Sequence, residues 1–518
     1  LVLFFKKEHS FFLLAALASC TVGPDFKKPT PPADAAWHRV VADDTATNAG
    51  TNPDPRWWEG FQDPVLTDLV QAAIRNNLDL QQAVLRVIES RQGIVTARAA
   101  GLPTLNGNAS YMREQLGARG ILESQGAYRA LDELADKAGS VDPSVQGLSS
   151  RISTGGTGLL NQLTQPVNLF QYGLSASWEL DLFGRVRRSV EQARAEAQAQ
   201  GEAANDVLVS LESEVAQAYV QLRGAQALTA TQEEDIQSAQ ASLDLTARRQ
   251  AHGLTTALDV DQARTELLNL QRQLPEYEKQ ASQAVDRLDV LIGEVPGTLD
   301  ARLRQAAPIP PLPAVVGIGV PSALARRRPD IRQAEAQLHA ATANVGVAVA
   351  SFYPDVSLTG TLGIRALDAG YLTRWASHFY SAGPSLSLPI FEGGRLTAGL
   401  HLARAQEIEA ALHYRAVVLN ALREVEDALV SYRQDRVERD RLESVVHSAA
   451  DSFALARNRY EHGLSTYLQV LDAQRTMVGA RQQLVQQDMM LANDIVGLYR
   501  ALGGGWAATP LPRPEHNP

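Results

Sequence analysis

Two hydrophobic rhythms share this chain. The first is helical. From about Gly184 to Gln250, small and apolar residues recur every three or four positions: Val186, Val190, Ala193 and Ala197, then Ala204, Val207, Leu211, Val215, Ala218, Leu222 and Ala225. No proline interrupts them. That spacing lines one helix face, and at 1.5 Å per residue some 65 residues form a rod of roughly 100 Å. After His252-Gly253 the rhythm resumes at Leu267, Leu270, Leu274, Tyr277, Ala281, Ala284, Leu288 and Leu291, a coiled-coil seam holding Pro275, where a kink is predicted. A second rod runs from about Arg395 to Glu461, turns at His462-Gly463 and returns to about Leu502. Each pair reads as a long antiparallel hairpin with glycine at its tip. A shorter helical stretch begins near Asp63-Pro64 and ends near Ala100.

The second rhythm has period two. It covers Leu105 to Arg113, Phe170 to Leu182, Val356 to Ile364 and Ala382 to Ile390, with Ser, Thr, Gly, Asn and Gln mostly between the apolar positions. These read as strands with one apolar and one polar face. Their length suits a tilted strand crossing a bilayer. An antiparallel sheet in a soluble domain has the same pattern, and this alternative stays open here.

The pattern is also written twice. Residues Gly173 to Gly293 align without a gap to Gly383 to Gly503, at an offset of 210. Gly184-Arg185 returns as Gly394-Arg395, and His252-Gly253-Leu254 as His462-Gly463-Leu464. A looser match at offset 251 relates Asp79, Ala83 and Pro103 to Asp330, Ala334 and Pro354, so the first copy carries 41 extra residues. They fall in the Gly- and Ser-rich region 114–165, read as a long outward loop. The period exceeds that of a solenoid and implies an internal two-fold repeat.

Composition narrows the function classes. Hydrophobic content of 45% with 20% charged residues fits a folded protein, and the net charge of −10 argues against nucleic acid as a partner. His-Glu-x-x-His, Gly-x-Ser-x-Gly and a phosphate-binding loop ending in Gly-Lys are absent, so no catalytic constellation or metal site is read. The single cysteine, Cys20, follows Lys6-Lys7, the apolar run Phe11 to Ala18 and Leu17-Ala18-Ser19. This is a signal-peptide pattern, too short to span a membrane. Leu-Ala-Ser-Cys resembles the bacterial lipobox, which implies N-acyl and diacylglyceryl lipid on Cys20; a plain secretory signal is the alternative. Thr21 is not the Asp associated with inner-membrane retention.

Four strands cannot close a barrel, and an open edge in lipid leaves backbone groups unsatisfied. Membrane-spanning strands therefore imply several chains sharing one barrel, with helical rods whose small-residue seam needs neighbours.

At this point the chain resembles the outer-membrane efflux proteins of the TolC/OprM type, in their lipoprotein (NodT-like) branch. The resemblance rests on Cys20-Thr21-Val22-Gly23-Pro24-Asp25-Phe26, Trp57-Trp58 with Phe61 and Asp63-Pro64, Arg327-Arg328-Pro329-Asp330-Ile331, Phe352-Tyr353-Pro354, Leu388-Pro389-Ile390-Phe391 with Gly393-Gly394-Arg395, Tyr460-Glu461-His462-Gly463, Leu471-Asp472-Ala473-Gln474-Arg475 and Leu502-Gly503-Gly504-Gly505-Trp506. It implies an α+β membrane protein: a homotrimer with a twelve-stranded transmembrane β-barrel continuous with a long periplasmic α-helical barrel. It implies a passive exit duct in the outer membrane of a Gram-negative bacterium, with no enzyme activity. The duct would be served by a periplasmic adaptor and an inner-membrane RND-type transporter. Carried over by motif, Leu468 and Asp472 form the periplasmic gate, with Leu258 and Gln262 as first-copy counterparts and Asp259 and Asp261 nearby. The tips Gly253-Leu254-Thr255 and Gly463-Leu464-Ser465 dock the adaptor. The expected divisions are a signal peptide (1–19), a lipidated extended tether (20–56), a first repeat (57–294), a Pro-rich linker (295–316), a second repeat (317–503) and a tail (504–518). A duct for metal ions or secreted protein, and a periplasmic coiled-coil adaptor without a barrel, remain the alternatives.

Overall fold

The computed structural model describes residues 21–31, 36–39, 46–115, 118–141, 151, 154–156, 158, 165–509 and 511–512. The expected signal peptide 1–19, the lipid-attachment residue Cys20, and parts of the tether, the 114–165 insertion and the tail lie outside the described residues.

Two units emerge. Each draws residues from both sequence copies. The first comprises 1–22, 96–187 and 349–396 and holds a four-stranded antiparallel sheet of β1 (Thr104–Glu114), β2 (Val167–Leu180), β3 (Asp355–Ala366) and β4 (His378–Ser387). The order is β1-β2-β3-β4, so β1 and β4 are its edges. The register sorts the side chains cleanly. Leu105–Ala176, Gly107–Leu174, Tyr111–Phe170, Leu174–Leu362, Trp178–Leu358, Val356–Leu386 and Leu362–Tyr380 are opposed on one face. The other face is polar and carries its own cross-strand bonds: Asn108 Nδ2 to Ser175 Oγ at 3.0 Å, Thr361 Oγ1 with Ser381 Oγ at 3.2 Å, and Arg365 Nε to Gln171 Oε1 at 3.0 Å.

Three boundaries differ from expectation. β2 ends at Leu180 because Asp181 turns to cap the next helix, accepting from the Val186 and Arg187 amides at 3.1 and 2.9 Å. β4 lies earlier than expected and stops at Ser387, leaving Leu388 to Ile390 outside it. Pro389 has no amide to extend the ladder, whereas Pro384 is tolerated on an edge strand. The insertion is not simply a loop. It holds α3 (Ala118–Ser124) and α4 (Ala127–Val141), with Leu131, Leu134 and Ala135 at helical spacing and Ala135 buried.

The second unit comprises 23–95, 188–348 and 397–518. The predicted single helix from Asp63 to Ala100 is two, α1 (Pro64–Asn76) and α2 (Leu78–Ala99). Asp63 caps α1 by accepting from the Val65 and Leu66 amides, and Asn77 closes α1 and opens α2 by accepting from the Leu80 amide at 2.9 Å. Two long hairpins follow: α5 (Arg185–Ala251) with α6 (Ala257–Leu291), and, after α7 (Pro329–Ala350), α8 (Arg395–Glu461) with α9 (Tyr467–Ala501). The helix α6 runs unbroken through exposed Pro275, where water can satisfy the carbonyl that proline leaves free. A core of Trp57, Trp58, Phe61, Tyr219, Leu288, Ile495 and Tyr499 joins helices from both copies. Within it Trp57 stacks on Tyr499 at 5.3 Å, and burying side chains of this size is the dominant stabilising term.

Candidate functional site

The two hairpin tips are built alike. Gly253 and Gly463 adopt φ of +70° and +74°, a left-handed backbone that side chains resist. The Leu254 and Leu464 amides reach back to the Arg249 and Arg459 carbonyls at 2.9 and 2.8 Å, and the glycine amides to Gln250 and Tyr460. Each tip thus closes its rod with a Schellman turn. That turn aims Leu254 and Leu464 into solvent, while Thr255 and Ser465 are half-buried behind them.

The tips are clamped together. The Arg249 guanidinium donates to the Glu461 carbonyl at 2.8 Å and lies over the Tyr460 ring at 4.7 Å. Tyr460 meets Tyr467 edge-on, and its hydroxyl lies 3.4 Å from Thr255 Oγ1. Asp259 anchors this group from the first hairpin. It forms a capping box with Thr256 and also accepts from the Thr255 hydroxyl. Burial alone would raise its carboxyl, but the bonds from Thr255 and Thr256 outweigh it and hold the group below its ordinary value. Asp259 is thus engaged in the helix cap.

Just beyond the tips, Leu258 and Leu468 occupy the second position of α6 and α9 and are 65% and 61% exposed. Asp472 is exposed one turn after Leu468, so the two share a face of α9. Gln262 is half-buried, and Asp261 is exposed and pairs with Arg264 at 3.4 Å.

Sequence reading missed the polar seam between the hairpins. Arg475 Nε reaches buried Glu266 at 2.7 Å, and Arg481 Nη1 reaches Asp235 at 3.3 Å. Gln482 donates to Gln232 and Gln273 at 2.9 and 3.2 Å. Burial pushes the Tyr467 phenol up to about 12, with Glu266 and Tyr460 adding to it. The available signal was Glu266 sitting beside Leu267 and Leu270 in an otherwise apolar seam.

Among the described residues, no group of His, Cys, Asp or Glu could hold a metal, and no helix is long and apolar enough to cross a membrane. A sheet with opposed apolar and polar faces, carried on a chain with two long glycine-tipped hairpins, fits an outer-membrane duct. The chain belongs to the outer membrane efflux protein family, which it matches over residues 69–294 and 320–504.

Particular relatives make this concrete. The chain is 33% identical over 510 residues to the solvent efflux pump outer membrane protein SrpC of Pseudomonas putida, covering 97% of this chain and 99% of that one. It is 31% identical over 499 residues to the outer membrane protein OprJ of Pseudomonas aeruginosa, covering 96% and 95%. The solved outer-membrane channel OprN superposes with a TM-score of 0.81 at 30% identity, over 94% of this chain and 100% of that one. The protein is therefore an outer-membrane efflux duct.

Proposed function

We propose that three copies of this chain close a twelve-stranded barrel in the outer membrane and act as the passive exit of a tripartite efflux pump. The observation that carries this is the sheet: four strands, one apolar face and two open edges. An 11-residue strand extends about 36 Å and, tilted by about 40°, covers about 28 Å of height, matching an apolar band of about 25 Å. Because β1 and β4 run antiparallel to each other, β4 of one copy can pair with β1 of the next and leave no edge. The helical unit supports the same reading. Ile408, Leu412, Leu419, Val437 and Leu455 are exposed on α8 and fall within about 40° of one another around the helix. A neighbouring copy would cover this stripe.

In this reading Cys20 carries the lipid anchor, and the two sequence copies at 57–294 and 317–503 each contribute a hairpin to a shared helical tunnel. Leu468 and Asp472 ring its constriction, with Leu258, Asp259 and Asp261 beside them. The tips Gly253 to Thr255 and Gly463 to Ser465 receive a periplasmic adaptor, which links the duct to an inner-membrane transporter of the RND type that supplies the energy. The duct itself needs no cofactor and performs no reaction.

The test is the mass of the detergent-purified protein together with its conductance in planar bilayers. A heat-modifiable trimer of the mature chain that conducts ions is expected. A stable monomer, or a trimer without conductance, would overturn the proposal.

A further inference from the structure

The residues that follow Cys20 do not trail freely. In the strand-bearing unit, the Val22 amide donates to the Phe183 carbonyl at 3.2 Å. Thr21 fills a notch at Gly184, where an added Cβ would stand 2.7 Å from Thr21 Cγ2 and 3.0 Å from its Cα. In the helical unit, Gly23 lies backbone to backbone on Gly346 of α7, with 2.5 Å between a Gly23 Cβ and the Gly346 Cα. The Arg188 side chain, 4% exposed, binds Asp25 Oδ1 at 2.6 Å and Glu191 at 2.8 Å. Phe26 stacks on His339 at 4.4 Å, His339 Nε2 meets Glu191 at 2.9 Å, and Lys28 reaches Glu335 at 3.0 Å.

The sequence repeat supplies an internal control. Gly394, the twin of Gly184, has φ of +90° against +87°, yet nothing lies within 4 Å of its Cβ position. The twins of Arg188 and Glu191 are Ala398 and His401. The second copy therefore keeps the turn and lacks the footholds, so the notch and the buried cation are not requirements of the fold itself.

We propose that Thr21 to Lys28 is a docked strap: within the strand-bearing unit the Gly184 notch holds Thr21 and Val22, and within the helical unit the Arg188–Glu191–His339 cluster holds Gly23 to Lys28. The occupant is fixed by connectivity, since the strap is the same chain. Its recognition chemistry is complementary: a buried guanidinium for the Asp25 carboxylate, an imidazole face for the Phe26 ring, and a carboxylate for the Lys28 ammonium. The strap's role is to set reach. Holding Thr21 at the notch shortens the free chain before it, in place of a flexible tether of 36 residues (21–56). This consequence rests on the lipid-anchor reading above; the docking does not.

The experiment is amide hydrogen exchange on the full mature protein in detergent, with the mass of its N-terminal peptide read from the same sample. Wild type should protect the Val22 amide. Gly184→Ala should accelerate Val22 exchange by about tenfold or more, whereas Gly394→Ala, which bears the same backbone strain, should leave it unchanged. Asp25→Ala removes an exposed carboxylate and should also accelerate Val22 exchange, even if Gly184→Ala does not fold. Open-chain exchange at Val22 in wild type, or equal effects of the two glycine variants, would overturn the strap. An N-terminal peptide without lipid but with Val22 protected would sink the anchor and leave the strap standing; a lipidated peptide without protection would do the reverse.

Discussion

Replacing Asp235 by asparagine should strengthen this protein at alkaline pH and leave it unchanged at acid pH. Asp235 lies on α5 with 0% of its surface exposed. Its Oδ1 accepts from Arg481 of the other hairpin at 3.3 Å, while Oδ2 has no hydrogen-bond partner. Burial pushes the carboxyl from 3.8 up to about 6, against the pull of Arg481 and with the push of Glu234. The folded state therefore binds this proton more tightly than the unfolded chain does. Stability from this group is retained below pH 4 and is lost as pH rises to 6. At about 1.4 kcal/mol per tenfold change in proton affinity, the ionised carboxylate opposes folding by up to about 3 kcal/mol above pH 6. Asparagine keeps the shape and an acceptor for Arg481 but has no charge to desolvate. For a chain of this length, 3 kcal/mol corresponds to about 3 °C in unfolding midpoint. Thermal scans of Asp235→Asn and wild type, at one scan rate and at pH 4.5 and 8, would measure it. A midpoint gain that is full at pH 8 and falls to about a third of that at pH 4.5 is expected. No gain at pH 8, or the same gain at both, refutes the assignment of this cost to Asp235.

Other outcomes follow from the same geometry. Leu362→Arg places a charge on the apolar sheet face and should cost about 2–4 kcal/mol in a bilayer, visible as lost heat-modifiable trimer; Thr361→Arg, one residue away on the polar face, should assemble normally, and equal assembly of both would contradict the assignment of faces. Asp259→Ala removes the cap carboxylate and should cost about 1 kcal/mol. Because the folded group is held below its ordinary 3.8, that loss should show above pH 4 and fade as pH falls through the folded value; a loss that persists at pH 2 would exclude the cap. Asp472→Ala should change the conductance and cation preference of the channel, and identical current–voltage curves would remove Asp472 from the gate. Gly463→Asp forces a side chain onto a left-handed backbone at about 1–2 kcal/mol and puts charge on the tip, so drug-export complementation should fail; normal export would count against docking there.

How much of this was legible depended on the period of the signal. The rod from Arg395 to Glu461 and the tips at Gly253 and Gly463 could be read because many residues repeat one spacing and a glycine marks each stop. The four strands were visible through alternation, and the repeat let each be checked against a twin. What escaped was local or long-range. The α4 helix hid in a Gly- and Ser-rich stretch, with only Leu131, Leu134 and Ala135 to betray it. The end of β4 turned on whether Pro389 could donate to a ladder. Glu266–Arg475 and Asp235–Arg481 join residues more than 200 positions apart, and no periodicity reports a partner at that distance. Residues 21–28 read as featureless because their partners, Gly184, Arg188 and His339, lie far along the chain and not in their own composition.

The two unfilled edges of the sheet also govern inheritance. A chain that completes its wall only by borrowing strands shares its fate with whichever sisters it meets. If a cell makes equal amounts of sound and faulty copies, random mixing in threes leaves about one ring in eight free of the fault. A lesion in β1 or β4 should therefore behave as a dominant trait, silencing far more export than its share of the gene dose.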